Sequence, residues 1–378
     1  MTNRIYNNDF LIAYRQNIAN CLKNDFKDNW DERRFGAENR LAQPDVPKVR
    51  QKIKQSIKNL LAMVGLYDLN DPLELSESLL KPNVEQFQWV YQRFVDDKSR
   101  QLLVQVLSFR ALGYRRVKLP MNNAHYWEAI ENAERLALNS ESIDLGWQGR
   151  RAYKMDLSSI GYHVKLFYVP FAIIYVFVLH QYECALSDKV IKAEEGDVVI
   201  DAGGCYGDTA LYFAHEVGEK GKVYSFEFMP ESLAIFEQNM SLNPELSQRV
   251  NLVRMPLWSK SGEQLFVEGS GPGTRVVPNA SRPDATRVET LTIDDMVSNE
   301  KLDRVDFIKM DIEGAELESL RGAENTIRQF RPKLAISVYH KLNDLWEIPQ
   351  YIDSLGLGYR FALRHFTTHA EETILFAY

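Results

Sequence analysis

From Val190 to the C-terminus, short apolar runs alternate with helical ones. "DVVIDAGG" reads as a strand ending in Asp and glycines, and "DTALYFAHEV" as the helix after it. "KVYSFEF" and "PESLAIFEQNM" repeat the pair, with Pro230 suited to a first helical turn. "VNLVRM", "VDFIKMDI" and "KLAISVYH" supply further strands, and "AELESLRGAENTIRQF" and "IPQYIDSLG" further helices. Strands that alternate with helices pair in parallel, because each crossover helix carries the chain back over a sheet face. The ending departs from this rhythm. "GYRFALRH" and "ETILFAY" are joined by a loop too short for a crossover helix, so they are expected to form an antiparallel hairpin. The predicted fold class is α/β: a doubly wound sheet with a terminal antiparallel hairpin.

The first turn of this unit carries chemistry. "IDAGGCYGDTA" puts Asp201 at a strand end, then Gly203, Gly204 and Gly207 before a helix. Glycines let the backbone turn tightly and approach a ligand, with helix N–H groups pointing into the gap. Glu227, at the tip of the second strand, is placed as an acid that grips a ribose diol. The pair implies an adenosine-containing ligand. The dinucleotide pattern G-x-G-x-x-G fits only if Ala202 stands for the first glycine, whereas an acid followed by G-x-x-x-G fits without substitution. Asp201 would attract the ammonium of a bound amino acid and repel a pyrophosphate. S-adenosylmethionine is therefore favoured over NAD(P).

Before Val190 the rhythm is helical. Val84–Gly113 carries apolar residues at three- and four-residue spacing and stops at a glycine; Val49–Val64 and Tyr126–Ala137 are shorter examples. Residues 140–183 mix β-branched and aromatic runs that suit strands or a helix. The expected division is a mainly helical domain over 1–183 and a ligand-binding domain over 184–378. The most apolar run, "LFYVPFAIIYVFVL", falls short of the roughly 18–20 residues of a spanning helix, and Pro170 interrupts it. No membrane span is expected, and the N-terminus lacks the apolar stretch of a signal peptide. Three scattered cysteines fit neither a disulfide scaffold nor a zinc ribbon, and suit a reducing, cytoplasmic setting. A net charge of −7 argues against nucleic acid as a partner, although Lys48, Arg50, Lys52, Lys54 and Lys58 form a local basic cluster that reads as a solvated helix face.

"VVIDAGGCYGDTALYFA", "VYSFEFMPES", "VETLTIDD", "VDFIKMDIEGAELESLRGAE" and "PKLAISVYHK", in that order, resemble the FkbM family of methyltransferases. The likeness runs from about Val190 to the C-terminus. It implies a class I, Rossmann-like methyltransferase fold, S-adenosylmethionine as cofactor, and O-methylation of a sugar, polysaccharide or secondary-metabolite hydroxyl. One departure is Gly203-Gly204-Cys205, where the family's glycine turn reads Gly-Ala-Asn.

In such open sheets ligands sit beyond the carboxyl ends of the strands, which gathers Asp201, Glu227, Asp311 and His340 around one crevice. A hydroxyl must lose its proton as it attacks the methyl group, and His340 is expected to be the neutral base that takes it. Lys309, Asp311 and Glu313 are spaced two apart and share one face of an extended chain. Asp311 is read as the partner of His340 or of the acceptor hydroxyl. Ligation of Mg²⁺ by Asp311 is the less favoured alternative, because no adjacent aspartates accompany it. Lys309 must pair with a carboxylate on its own face if buried. Glu313 is divided between the site and the start of the next helix, as is Glu316. Trp258 is a candidate flank for the adenine, and Arg364 and His365 are candidate acceptor contacts. The N-terminal domain is expected to cover a small-molecule or carbohydrate acceptor or to mediate homodimerisation. Two alternatives stand beside this reading. A nicotinamide-dependent sugar oxidoreductase needs a Tyr-x-x-x-Lys pair, which neither Tyr153 nor Tyr162 begins. A non-catalytic S-adenosylmethionine-binding module has only Cys205 in its favour.

Overall fold

The computed structural model describes residues 9–36, 76–78, 80–147, 149–269, 271–280 and 285–378. The basic cluster at Lys48–Lys58 and the helical pattern of Val49–Val64 lie outside the described residues. Two compact units are present: Met1–Asn122 with Thr367–Ala370, and Asn123–Phe366 with Glu371–Tyr378.

In the first unit, helix Asp9–Cys21 buries Phe10, Tyr14, Ile18 and Cys21, a stripe at the spacing of a single helix face. Phe10 stacks on Phe87 at 5.5 Å between ring centroids. The long helix expected over Val84–Gly113 is two helices, Val84–Arg93 and Asp97–Leu112. Asp96 causes the break: its carboxylate accepts the Ser99 N–H and so starts a new helix. Gly113 ends that helix as expected, at φ 75°.

The second unit is built on a seven-stranded sheet. Its strands are β1 (Val198–Ala202), β2 (Lys222–Phe226), β3 (Val250–Val253), β4 (Phe307–Met310), β5 (Lys333–Ser337), β6 (Phe361–His365) and β7 (Thr373–Ala377). They lie in the order β6-β7-β5-β4-β1-β2-β3. The five strands β1 to β5 pair in parallel, and β7 runs antiparallel to both β5 and β6. This is the Rossmann-like arrangement of class I methyltransferases, with the expected terminal hairpin. Every residue of β4 and β7 is buried, as strands covered on both faces require. The chain leaves β1 outward to β2 and β3, then crosses back to β4 on β1's other side. A crevice opens where the winding reverses, at the carboxyl ends of β1 and β4.

Helix α1 (Asp208–Glu216) follows β1 and α2 (Pro230–Ser241) follows β2. α3 (Ile293–Asn299) precedes β4, and the helix expected after β4 is two, α4 (Glu316–Arg321) and α5 (Glu324–Phe330). Asp294 of α3 separates them: its amide N–H donates to the Gly322 carbonyl, and its carboxylate accepts the N–H groups of Asn325 and Thr326. α6 (Asp344–Ser354) lies between β5 and β6.

Residues 142–168 form a small antiparallel sheet of Ser142–Asp144, Arg151–Asp156 and Lys165–Tyr168. Pro170 then opens helix Pro170–Phe177, so the apolar run is a strand and a buried helix in succession. These elements group with the second unit, whereas the sequence-based boundary at 183/184 assigned them to the first. Asn239 and Asn243 of α2 and its C-terminal turn explain the grouping, since their amides bond the backbone of Phe167 and Lys165. Among the described residues no helix is long and apolar enough to cross a membrane.

Candidate active site

The carboxyl ends of β1 and β4 are locked together. Lys309 and Asp201 are register partners on the two strands, and Lys309 Nζ lies 3.0 Å from Asp201 Oδ1 with both side chains buried. Thr209 and Ser225 also donate to the Asp201 carboxylate, at 2.9 and 2.7 Å. Lys309 donates further to the carbonyls of Ala202 and Gly203. Burial opposes the ammonium charge of Lys309, but Asp201 and Asp311 outweigh it and raise its pKa. Lys309 thus finds the carboxylate partner its burial demands. Asp201, read from the sequence as a ligand for an ammonium, is spent on this internal pair and does not line the crevice.

The glycines are set by the same closure. A Cβ on Gly203, at φ 93°, would overlap the Asp311 carbonyl oxygen, and one on Gly204 would overlap Ser225 Oγ. Gly207, at φ 83°, faces Met240 and Phe236 of α2 rather than the crevice. The turn therefore needs glycine first for β1–β4 and helix packing. Of its residues, Gly203 and Cys205 reach the cavity wall.

The cavity encloses about 640 Å³ of space open to solvent. Gly203, Cys205 and Glu227 line it from beyond the ends of β1 and β2, and Asp311, Ile312 and Glu313 from beyond the end of β4. Met255, Pro256 and Leu257 add an apolar wall after β3. Trp258, their neighbour, is not part of the lining: its amide N–H bonds the Leu291 carbonyl, and its own carbonyl packs on Gly322. Glu227 accepts the N–H groups of Phe228 and Met229 at 2.7 and 2.8 Å. Burial raises its pKa against those hydrogen bonds. Cys205 and Glu313 take positive φ, 44° and 55°, a conformation that costs energy outside glycine and clusters at functional sites.

Behind Asp311 sits His340, its side chain 8% exposed, ringed by acids. Nε2 lies 3.4 Å from Asp311 Oδ1 and 3.6 Å from Glu313 Oε2, and Nδ1 lies 3.0 Å from Glu316 Oε1. Burial disfavours the imidazolium, but Glu316, Glu313 and Asp311 outweigh it and push the pKa up to about 12. The neutral base expected from the sequence is thus a cation in its surroundings. Of the three acids, Asp311 and Glu313 reach the cavity and Glu316 does not. Burial raises the Asp311 carboxyl against the pull of His340 and Lys309, and Tyr339 donates to it at 3.0 Å. Glu316 is fully buried, accepts the Ile312 N–H, and is held below the usual carboxylate range because His340 outweighs its burial.

Arg364 and His365 do not reach the cavity. Arg364 donates to the Ala185 carbonyl, and the His365 ring bonds Thr373 across the terminal hairpin. The sequence also left unread a three-stranded antiparallel sheet of Gln264–Glu268, Arg275–Val277 and Thr286–Glu289. Its first turn brings Gly271, Thr274 and Val276 to the cavity wall. Gly271 lies flat on the indole of Trp147, where an added Cβ would stand 2.8 Å from the ring. Trp147 Nε1 in turn donates to Tyr206 Oη at 2.8 Å. The Gly-Pro-Gly run at 271–273 was the available signal for that turn.

Known proteins share parts of this chain. Over 137 residues the chain is 28% identical to the hexuronic acid methyltransferase AglP of Haloferax volcanii, a match covering 36% of this chain and 54% of that relative. The chain thus spans about half the length of that curated relative. Among solved structures, methyltransferase FkbM from Methylobacillus flagellatus is similar over 86% of this chain and 70% of its own, with 20% identity and a TM-score of 0.48. Fibrillarin from Aeropyrum pernix, in complex with natively bound S-adenosyl-L-methionine, is similar over 64% of this chain and 84% of its own, with 11% identity and a TM-score of 0.35. Residues 201–361 match the family model of the methyltransferase FkbM domain.

Proposed function

We propose that this chain is an S-adenosylmethionine-dependent O-methyltransferase acting on a hydroxyl of a carbohydrate-type acceptor. The observation that carries the reading is that Glu227, after β2, and Asp311, after β4, line one cavity. Glu227 is the acid available to a ribose diol, and Met255 and Leu257 offer apolar contact to an adenine ring. Asp311 then faces the acceptor. The sulfonium supplies the electrophile, so the protein has to align the acceptor in line and remove its proton. As the acceptor oxygen bonds the methyl carbon, the C–S electron pair returns to sulfur and the hydroxyl proton passes to Asp311. Burial makes Asp311 a stronger base than an ordinary carboxylate. His340 acts through it, holding it in place as a neighbouring cation. The hexuronic acid methyltransferase among the relatives supports a carbohydrate acceptor.

Titration calorimetry with S-adenosylmethionine and with NADH separates a methyltransferase from the oxidoreductase reading: only the first should bind. Labelled methyl transfer to a panel of oligosaccharides should then yield an alkali-stable ether, whereas an alkali-labile product would mean a carboxyl acceptor. Asp311→Asn should lower kcat at least ~100-fold, the usual worth of a general base, with cofactor affinity little changed. Near-normal turnover in that variant removes Asp311 from the role.

A further inference from the structure

We propose that Asp311, Glu316 and His340 form a binding site for a divalent cation of the Mn²⁺ or Mg²⁺ type in the wall of the cavity. One donor atom from each residue lies within 4.8 Å of the others. Ligands held about 2.1 Å from an ion stand ~3 Å apart when adjacent and ~4.2 Å apart when opposed, so small side-chain rotations close this set around one ion. Two carboxylates and an imidazole, which must give up to solvent the proton it carries in the ion's absence, make a donor set for a hard or borderline cation with the cavity side open to water.

The bonding capacity of these atoms points the same way independently. Glu316 is 0% exposed, and its Oε2 has no hydrogen-bond partner among the described residues. Both ring nitrogens of His340 are buried and likewise make no well-directed hydrogen bond, although carboxylate oxygens lie 3.0 and 3.4 Å away. Buried polar atoms in folded proteins are nearly always satisfied, and Glu316 Oε2 and one ring nitrogen of His340, left without well-directed partners beside Asp311, suit a metal ion better than a set of bent ion pairs. The surroundings are those of a ligand set. Tyr339 O–H holds Asp311, and the Ile312 N–H holds Glu316 through its other oxygen. Glu313, one-third exposed and 3.6 Å from Nε2, is free to swing in as a further ligand.

Charge supplies the reason for such a site. The charged residues that line the cavity, Glu227, Asp311 and Glu313, are all acidic. Among the described residues, an acceptor presenting hydroxyl or carboxylate oxygens meets no positive lining group there. A cation at this cluster would give those oxygens a partner; that last step rests on the proposed function, whereas the binding of the ion does not.

The test uses the full chain, stripped with a chelator and titrated with Mn²⁺ alone, the free ion being counted by its electron paramagnetic resonance signal. One ion per chain is expected for the wild type. Asp311→Asn and His340→Gln should each weaken binding at least about tenfold, the order of loss seen even for groups that only support a metal's ligands. Glu316→Gln should do the same where circular dichroism shows it folded. Lack of saturable binding up to about 1 mM Mn²⁺ overturns the site, as does unchanged binding in both Asp311→Asn and His340→Gln. Neither cofactor nor acceptor is present, so a negative result leaves methyl transfer standing. Conversely, intact Mn²⁺ binding without methyl transfer would count against the proposed function alone.

Discussion

Lys309 Nζ lies 3.0 Å from Asp201 Oδ1, between two side chains that solvent does not reach. The pair joins β4 to β1 where the sheet reverses its winding, and its lysine also holds the Gly203 carbonyl that begins the cavity wall. Breaking a buried pair leaves an uncompensated charge, so Lys309→Met should lose about 3–5 kcal/mol of stability in urea unfolding. Asp201→Asn in the same chain should recover at least about 1 kcal/mol relative to the sum of the single changes. Simple additivity would show that the pair does not couple the strands.

Gly203→Ala tests the closure from the other side. Its Cβ meets the Asp311 carbonyl in a backbone conformation that alanine resists. The end of β4 must then move, carrying Asp311 and Glu313 with it. S-adenosylmethionine affinity should fall at least about tenfold, or 1.4 kcal/mol, with a lower melting temperature. Wild-type affinity by calorimetry would mean that the turn yields without disturbing the cavity.

The alternation of strands and helices was legible because each element is a local pattern, and the terminal hairpin because its loop is short. What escaped was non-local. That Lys309 needs a carboxylate followed from its position in a strand, but the identity of Asp201 depends on the β1–β4 register. Once that pair forms, Asp201 is no longer available to a ligand. His340 was expected in the crevice, and it lies behind Asp311, outside the cavity lining. Its charge was not legible, because Glu313, Glu316 and Asp311 reach it only when the turn after β4 folds against the end of β5. The cavity-forming turn at Gly271 was missed because its flanking strands are short and mostly polar on one side. Trp258 sits at the right point in the chain, but its backbone is engaged by Leu291 and Gly322.

Glu227 offers a cleaner probe of the cofactor. Its carboxylate already holds two backbone N–H groups, so it is fixed in place before any ligand arrives. Glu227→Ala should raise the S-adenosylmethionine Kd by roughly ten- to a hundredfold, as expected for the loss of hydrogen bonds to a charged group worth about 1.5–3 kcal/mol. Glu227→Gln should fall between. Equal affinity in all three proteins would remove Glu227 from cofactor binding.

Asp208 gives the fold a dependence on pH. It opens α1 beside the Lys309–Asp201 pair, and burial pushes its pKa from 3.8 to about 7 against the attraction of Lys309. Asp201 adds to the rise, and Tyr168 hydrogen-bonds the carboxylate. Cys205, Tyr168 and Tyr182 also feel Asp208, but burial pushes each of them further up and away from neutrality. Between pH 3.8 and about 7 the folded chain therefore keeps a proton on Asp208 that the unfolded chain has released. Stability falls with rising pH wherever the folded state binds more protons than the unfolded one. This group's contribution is thus intact below the lower value, declines across the window, and is fully lost above about 7. Asp208→Asn keeps the shape and removes the titration. Its unfolding midpoint in urea should gain on the wild type from pH 4 to about 7 and then level off, and the comparison cancels every group the two chains share. Parallel curves for the two proteins would show that Asp208 ionises normally in the folded state.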